Sequence, residues 1–484
     1  MNLSYDQLAE LGFPYVRGLL EPVCPYGVRR LREEGFYPPG MRAALERELD
    51  NVELLRAALD ADEEAGMELR HALSGLKELS GTLRACAERA LGEVELFELT
   101  AFCLRLRSLI PMAEALPGYE RLDGIAFAPV DAALSVLNPS ESGRLSFYVE
   151  DARSPALAEA RARKREAERV LRRTVEPEAR ARLSETRQTA ARDEERALSA
   201  VYEEMSAALR PSLPALTQNA LAAGRLDAAL AKALVARNYH CCRPELGGET
   251  LSLTDAVHPE IAAGLAERGR AFTPITVELP RGVTVLTGAN MGGKSVALKT
   301  AVLNAALALS GCFVFAAAAR VPAFARIELI NRDFSNAVGG LSSFGGEILR
   351  FNAAAERLDA GGLSLIAMDE FARGTNAGEG AAIARAVVRY LADKNAVTLL
   401  ATHYDGTAQY AARHYQVRGL RRLEADAPGV GDGLRRIEDA MDYGLIPVEP
   451  GEPCPRDALR ICRILGMAPE ILDEAAKEGE NDGA

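Results

Sequence analysis

The residues with the clearest chemistry fall in three short runs. The first is VTVLTGANMGGKSVALKT, Val283–Thr300, where Gly288 and Gly293 bracket four residues ahead of Lys294 and Ser295. Glycines at this spacing let backbone N–H groups converge on phosphate oxygens, and the N-terminus of a following helix adds partial positive charge. In that pattern Lys294 reaches the β- and γ-phosphates of a nucleotide, and Ser295 offers its hydroxyl to Mg2+. The second run is LSLIAMDE, Leu363–Glu370, an apolar strand ending in two carboxylates. Asp369 is placed to hold Mg2+, directly or through water, and Glu370 to polarise an attacking water. The third is TLLATHY, Thr398–Tyr404, an apolar strand ending in His403, which can sense a γ-phosphate or orient water. A weaker fourth run, LSSFGGEILR at Leu341–Arg350, supplies serines and a glycine turn that could cap phosphate, with Glu347 on a following helix.

These runs need a scaffold, and the composition shifts where one would begin. Residues 1 to about 250 are rich in Leu, Ala, Arg and Glu at helical spacing, while later residues alternate short Val/Ile/Leu runs with helical stretches and glycine turns. The later pattern is that of a mostly parallel α/β sheet. Within the first part, Gly40–Leu106 reads as long helices, Pro111–Pro139 as turns with short apolar runs, and Arg144–Asp151 as a strand. Residues 153–209 read as a helical hairpin, with Pro155 in a first turn and Val175–Ala179 between the arms. Arg161–Arg196 holds twelve basic and eight acidic residues, 12 − 8 = +4. Such a stretch is either a solvated hairpin laced with ion pairs or a contact arm for a polyanion or an acidic partner. After Lys299, the uncharged stretch up to Arg320 reads as a buried helix ending near Ser310 and a strand at Cys312–Phe315, not as a membrane span.

The whole chain has 484 residues and a formal charge of 57 − 69 = −12, with 48% hydrophobic residues. That composition supports a large core, excludes a mainly disordered chain, and argues against nucleic-acid binding by bulk positive charge. Its eight cysteines form no CxxC pair, the pattern of a reducing cytoplasm. His240-Cys241-Cys242 lacks common zinc spacing. His71 and His414 read as ordinary surface or boundary residues on helices.

TGANMGGKS, MDEFARGTNAGEG and ATHY, in that order, resemble the MutS family of ABC-type P-loop ATPases. The asparagine-methionine pair inside the loop and the RGT after the acids make the resemblance specific. Val257-His258-Pro259 resembles the family's lead-in. Tyr443-Gly444-Leu445 and GMAPEILDEA resemble its dimer-forming end, and Ser154–Arg161 its lever-and-clamp core. The resemblance implies an α/β C-terminal P-loop (ABC-type) ATPase domain at 251–484, preceded by a mainly α-helical lever domain at 1–250. It implies ATP and Mg2+ at Gly288, Ala289, Asn290, Met291, Gly292, Gly293, Lys294, Ser295 and Val296, and stacking of adenine on Phe272. It also implies a homodimer with composite sites, in which Ser342 or Ser343 reaches the partner's nucleotide and Arg373, Gly374 and Thr375 lie at the same interface.

The chain departs from the family where a mismatch-reading domain and a C-terminal nuclease domain are expected; neither is recognised in the sequence. Two functions stay open. One is an ATP-driven DNA clamp whose hairpin touches phosphates. The other is an ATPase that remodels a protein partner, such as a cobalamin-dependent lysine or ornithine aminomutase.

Overall fold

The computed structural model describes residues 3–138, 148–288, 293–331, 343–358, 361–420, 437, 440–454 and 458–481. They fall into two compact units interleaved along the chain: a sheet unit of residues 1–20, 35–53 and 232–484, and a helical unit of residues 21–34 and 54–231.

Ten strands are described in the sheet unit: β1 Glu245–Leu246, β2 Leu251–Ala256, β3 Ile275–Leu279, β4 Gly282–Thr287, β5 Ala318–Val321, β6 Arg326–Ile330, β7 Ser364–Asp369, β8 Ala396–Ala401, β9 Arg413–Leu420 and β10 Met441–Val448. The larger sheet runs β10-β9-β4-β8-β7-β6. Strands β9, β4, β8, β7 and β6 pair in parallel, and β10 closes one edge antiparallel to β9. Strands β4 and β8 are buried along their whole length, which is why they read as continuous apolar runs without alternation. A smaller sheet has the order β1-β5-β2-β3. Packed with them, the helix Lys294–Leu309 has 13 of its 16 residues buried, so it is apolar all round. Among the described residues no helix is long and apolar enough to cross a membrane.

The helical unit is built on Pro25–Glu33, Glu63–Ser74, Ser80–Glu88, Glu93–Glu114, Asp131–Leu137 and the hairpin Pro155–Leu171 with Pro177–Leu209. Leu69, Leu73, Leu99, Phe102, Cys103, Leu106 and Leu109 recur at helical spacing and are all buried. The hairpin arms start as expected. Ser154 caps the first, accepting from Leu157 N, and Glu176 caps the second, accepting from Ala179 N at 2.8 Å; each arm has proline in its first turn.

Three expectations are corrected. The strand after Ser310 lies at Ala318–Val321. Residues Cys312–Phe315 bond instead through one bridge, Val314 with Cys242, through Cys312 N donating to Leu307 O and Phe315 O accepting from Val257 N, and through the Asn304 side chain, which accepts from Phe315 N at 2.8 Å. Pro111 sits inside the helix Glu93–Glu114, not in a turn. Only Tyr148–Asp151 of the expected strand 144–151 is described, and it is irregular chain leading into a 3-10 turn at Asp151–Arg153.

Candidate nucleotide site

The three chemical runs meet at the carboxyl ends of adjacent parallel strands, where open α/β sheets place their ligands. Strand β4 delivers Thr287 and Gly288, β7 delivers Asp369 and Glu370, and β8 delivers Thr402 and His403. Ala289, Asn290, Met291 and Gly292 lie outside the described residues, as does Ser342. Ser343 begins the helix Ser343–Leu358.

Gly293 takes φ +86° as the cap of the helix Lys294–Leu309, a conformation glycine adopts without strain. Lys294 is 4% exposed and donates to Gly288 O at 2.8 Å. Burial lowers its pKa, against the pull of Glu370 and Asp369. The Ser295 hydroxyl hydrogen-bonds the Asp369 carboxylate, whose pKa is raised by burial and then by neighbouring Glu370. Asp369 Oδ1 is buried with no hydrogen-bond partner. A partnerless carboxylate oxygen beside a serine hydroxyl is the donor set of a hard cation such as Mg2+, so the residues fit that ion.

Glu370 stands in the left-handed region at φ +51°, as does Ala372 at φ +64°. Non-glycine residues at such angles cost energy and cluster at functional sites. The turn is held from several sides. Glu370 N donates to Ala401 O at 2.9 Å, and Ala372 N donates to the buried Glu347 Oε2 at 3.1 Å. Tyr404 OH donates to Ala372 O at 3.2 Å. The Glu370 carboxylate accepts from Arg373 and lies 3.8 Å from His403 Nδ1. Burial lowers the His403 pKa, opposed by Glu370, so its ring is biased toward the neutral form. His403 Nδ1 is buried without a hydrogen-bond partner.

A cavity of about 680 Å³ opens beside these groups, lined among others by Phe272, Lys294, Ser295, Val296, Glu370 and Tyr443. Phe272 is therefore brought to the same cavity as Lys294. Gly374 lies against the helix Ser343–Leu358: a Cβ there would meet Phe344 Cβ at 2.9 Å.

Sequence reasoning missed three participants. Glu347 was expected on this helix, but not its hold on Ala372. Tyr443, which the resemblance assigns to a dimer-forming end, also lines the cavity within this chain, close enough that a Cβ on Gly293 would meet its ring at 3.0 Å. His414 is not a surface or boundary helix residue. It lies on β9, is 2% exposed, and its Nε2 is 2.8 Å from Thr287 Oγ1. The only sequence signal for it was a polar residue inside an apolar alternation.

Residues 284–432 match the family model for MutS domain V, which is the ATPase domain of that family. The chain is 31% identical over 301 residues to the DNA mismatch repair protein MutS of Natronomonas pharaonis, covering 60% of this chain and 33% of that protein. It is 29% identical over 310 residues to the endonuclease MutS2 of Streptococcus gordonii, covering 64% of this chain and 37% of that protein. The chain thus spans about a third of the length of the curated relatives it matches. On this match and these relatives, residues 284–432 carry the MutS domain V pattern, and the chain is similar to MutS-family proteins over about 60% of its length.

Proposed function

We propose that this chain is a MutS-type ATPase with an ABC-type P-loop domain, working as a homodimer with composite ATP sites on double-stranded DNA. The observation that carries the reading is the buried Asp369 carboxylate with a partnerless oxygen, hydrogen-bonded by Ser295, which lines a cavity together with Lys294, Glu370 and Phe272.

In this reading Gly288, Gly293, Lys294, Ser295 and Val296, with Ala289, Asn290, Met291 and Gly292, cradle the phosphates, and Phe272 stacks on adenine. Lys294 exchanges its bond to Gly288 O for phosphate oxygen. Ser295 and Asp369 hold Mg2+, which when bound supplies charge neutralisation to the phosphates. Glu370 gives up Arg373 and orients the attacking water, taking up its proton. His403, its ring biased toward the neutral form, orients that water or senses the γ-phosphate. Ser342 or Ser343 belongs to the segment that reaches the partner's nucleotide. The names of the matched relatives, a mismatch repair protein and an endonuclease, favour DNA as the partner. Nothing observed favours an aminomutase, and that alternative is not carried further.

The reading is tested by a pair of variants. Lys294→Ala should lose ATP binding. Glu370→Gln should keep it while turnover falls about 10²- to 10⁴-fold, and ATP should then shift the variant to a dimer in sedimentation. Unchanged hydrolysis in Glu370→Gln removes the catalytic assignment.

A further inference from the structure

The proline-rich stretch VEPGEPCPRD, Val448–Asp457, has no part in the nucleotide chemistry described so far. Its described residues leave the end of β10 and fold back along one face of the larger sheet, toward the phosphate end. Three side chains on that face receive them. His414 and Gln416 are two apart on β9 and share a face; Thr287 pairs with Gln416 across the ladder and lies on the same side.

The contacts form a continuous line. His414 Nδ1 lies 3.1 Å from Glu449 O. A carbonyl only accepts, so Nδ1 carries the proton and Nε2 accepts from the Thr287 hydroxyl at 2.8 Å. Gln416 Nε2 donates to Pro453 O at 2.7 Å. Cys454 N donates to Asp405 Oδ1 at 2.8 Å. The Cys454 thiol hydrogen-bonds both Asp405 and Thr287; burial and then Asp405 push its pKa up to about 12, so it remains a thiol. Both ends of this line adjoin, along the chain, residues of the nucleotide site. Thr287 precedes Gly288, the acceptor for Lys294, and Asp405 is two residues beyond His403. The intervening turn is itself closed by Thr402 Oγ1, which accepts from Tyr404 N at 3.1 Å.

We propose that Glu449–Cys454 is a strap that fixes the base of the phosphate loop to the His403 turn, with Asp405 and His414 as its positioning residues. This deepens the ATPase reading and rests on it for its catalytic consequence. Neither residue lines the cavity, so each acts through a neighbour: His414 through Thr287, and Asp405 through the turn that carries His403. The strap makes the spacing of Lys294 and His403 depend on a segment that follows β10, beyond all three chemical runs.

The test uses the full chain and Mg2+-ATP. Asp405→Ala leaves Cys454 N without its acceptor, whereas Asp405→Asn keeps an oxygen that can accept. In nucleotide-free protein, Asp405→Ala should speed amide hydrogen exchange in peptides covering 402–406 and 449–454. Its kcat should fall about tenfold with KM changed less than about threefold, and Asp405→Asn should restore kcat to within about twofold. Gln416→Ala, which releases Pro453 alone, serves as the second variant if Asp405→Ala does not fold, with the same exchange signature expected. Unchanged exchange overturns the strap whatever the turnover of the wild type. Faster exchange with unchanged kcat overturns the positioning role. A wild-type chain without ATP turnover, in which exchange still responds, overturns the ATPase reading and leaves the strap as a structural tie.

Discussion

Asp369 and Glu370 are neighbours with opposite local situations. Asp369 is held at a strand end with a buried, partnerless oxygen, whereas Glu370 is turned into the left-handed region and paired with Arg373. The first arrangement costs stability, because a buried unpartnered polar atom forfeits its hydration, about 1–3 kcal/mol. Asp369→Asn keeps the shape and removes the charge. Nucleotide-free Asp369→Asn should therefore melt about 2 °C or more above the wild type, while Mg2+-dependent ATP turnover is lost. Calorimetry together with a phosphate-release assay reads both, and a variant that melts lower would show that the empty site is not strained. At this scale the sequence was legible where chemistry restricts residue type. Gly293, Lys294, Ser295, Asp369 and Glu370 stand out because few other residues could do their work. Glu347 and His414 did not, because their meaning lies in partners 25 and 127 positions away.

Elements were readable where periodicity and caps agreed. Both hairpin arms begin at a capped proline turn, and β4, β7 and β8 are unbroken apolar runs. The misplaced strand at Cys312–Phe315 and the helix running through Pro111 failed for one reason: local composition was overruled by where the backbone found partners. The helix Pro259–Ala266 shows how such a partner can also set pH behaviour. His258 is 1% exposed and caps this helix, Nδ1 accepting from Ile261 N at 3.4 Å. Burial, helped by Lys299, pulls its pKa down to about 4. In the unfolded chain it titrates near ~6.5. As pH falls from there, the unfolded chain takes a proton that the folded one refuses until about pH 4. The stability is thus whole above the unfolded pKa and drains away below it, by about 2 kcal/mol at about pH 5. His258→Asn retains a capping side chain without the titration. Urea unfolding at about pH 7.5 and about pH 5 should show the variant losing about 2 kcal/mol less than the wild type on acidification. An equal loss in both proteins would assign the acid sensitivity to other groups.

For the molecule as a whole, the central question is how a chain of charge −12 would hold DNA. The hairpin was the basic stretch singled out in the sequence, and its charge is largely spent internally. Arg161 is 8% exposed and bonds Asp151 at 2.7 Å and Glu194 at 3.0 Å. Lys164 shares Glu194 at 2.7 Å, and Arg163 meets Asp193 at 3.1 Å. These cations tie the two arms together, so their removal should loosen the hairpin. Arg172 and Arg173 differ: both are exposed at the turn and neither forms an ion pair with a described acid, so a polyanion could reach them. Each phosphate neutralised by a basic side chain contributes about one unit to the salt dependence of DNA affinity. We expect Arg172→Glu with Arg173→Glu to weaken duplex binding for all sequences alike and to lower the slope of log K against log salt by about 2. Arg161→Ala should instead lower the melting temperature before it alters that slope. Fluorescence anisotropy over a salt series, with and without ATP, separates the two classes of arginine. A chain that fails to bind duplex at low salt in either state would leave the ATPase standing and take DNA away as its partner.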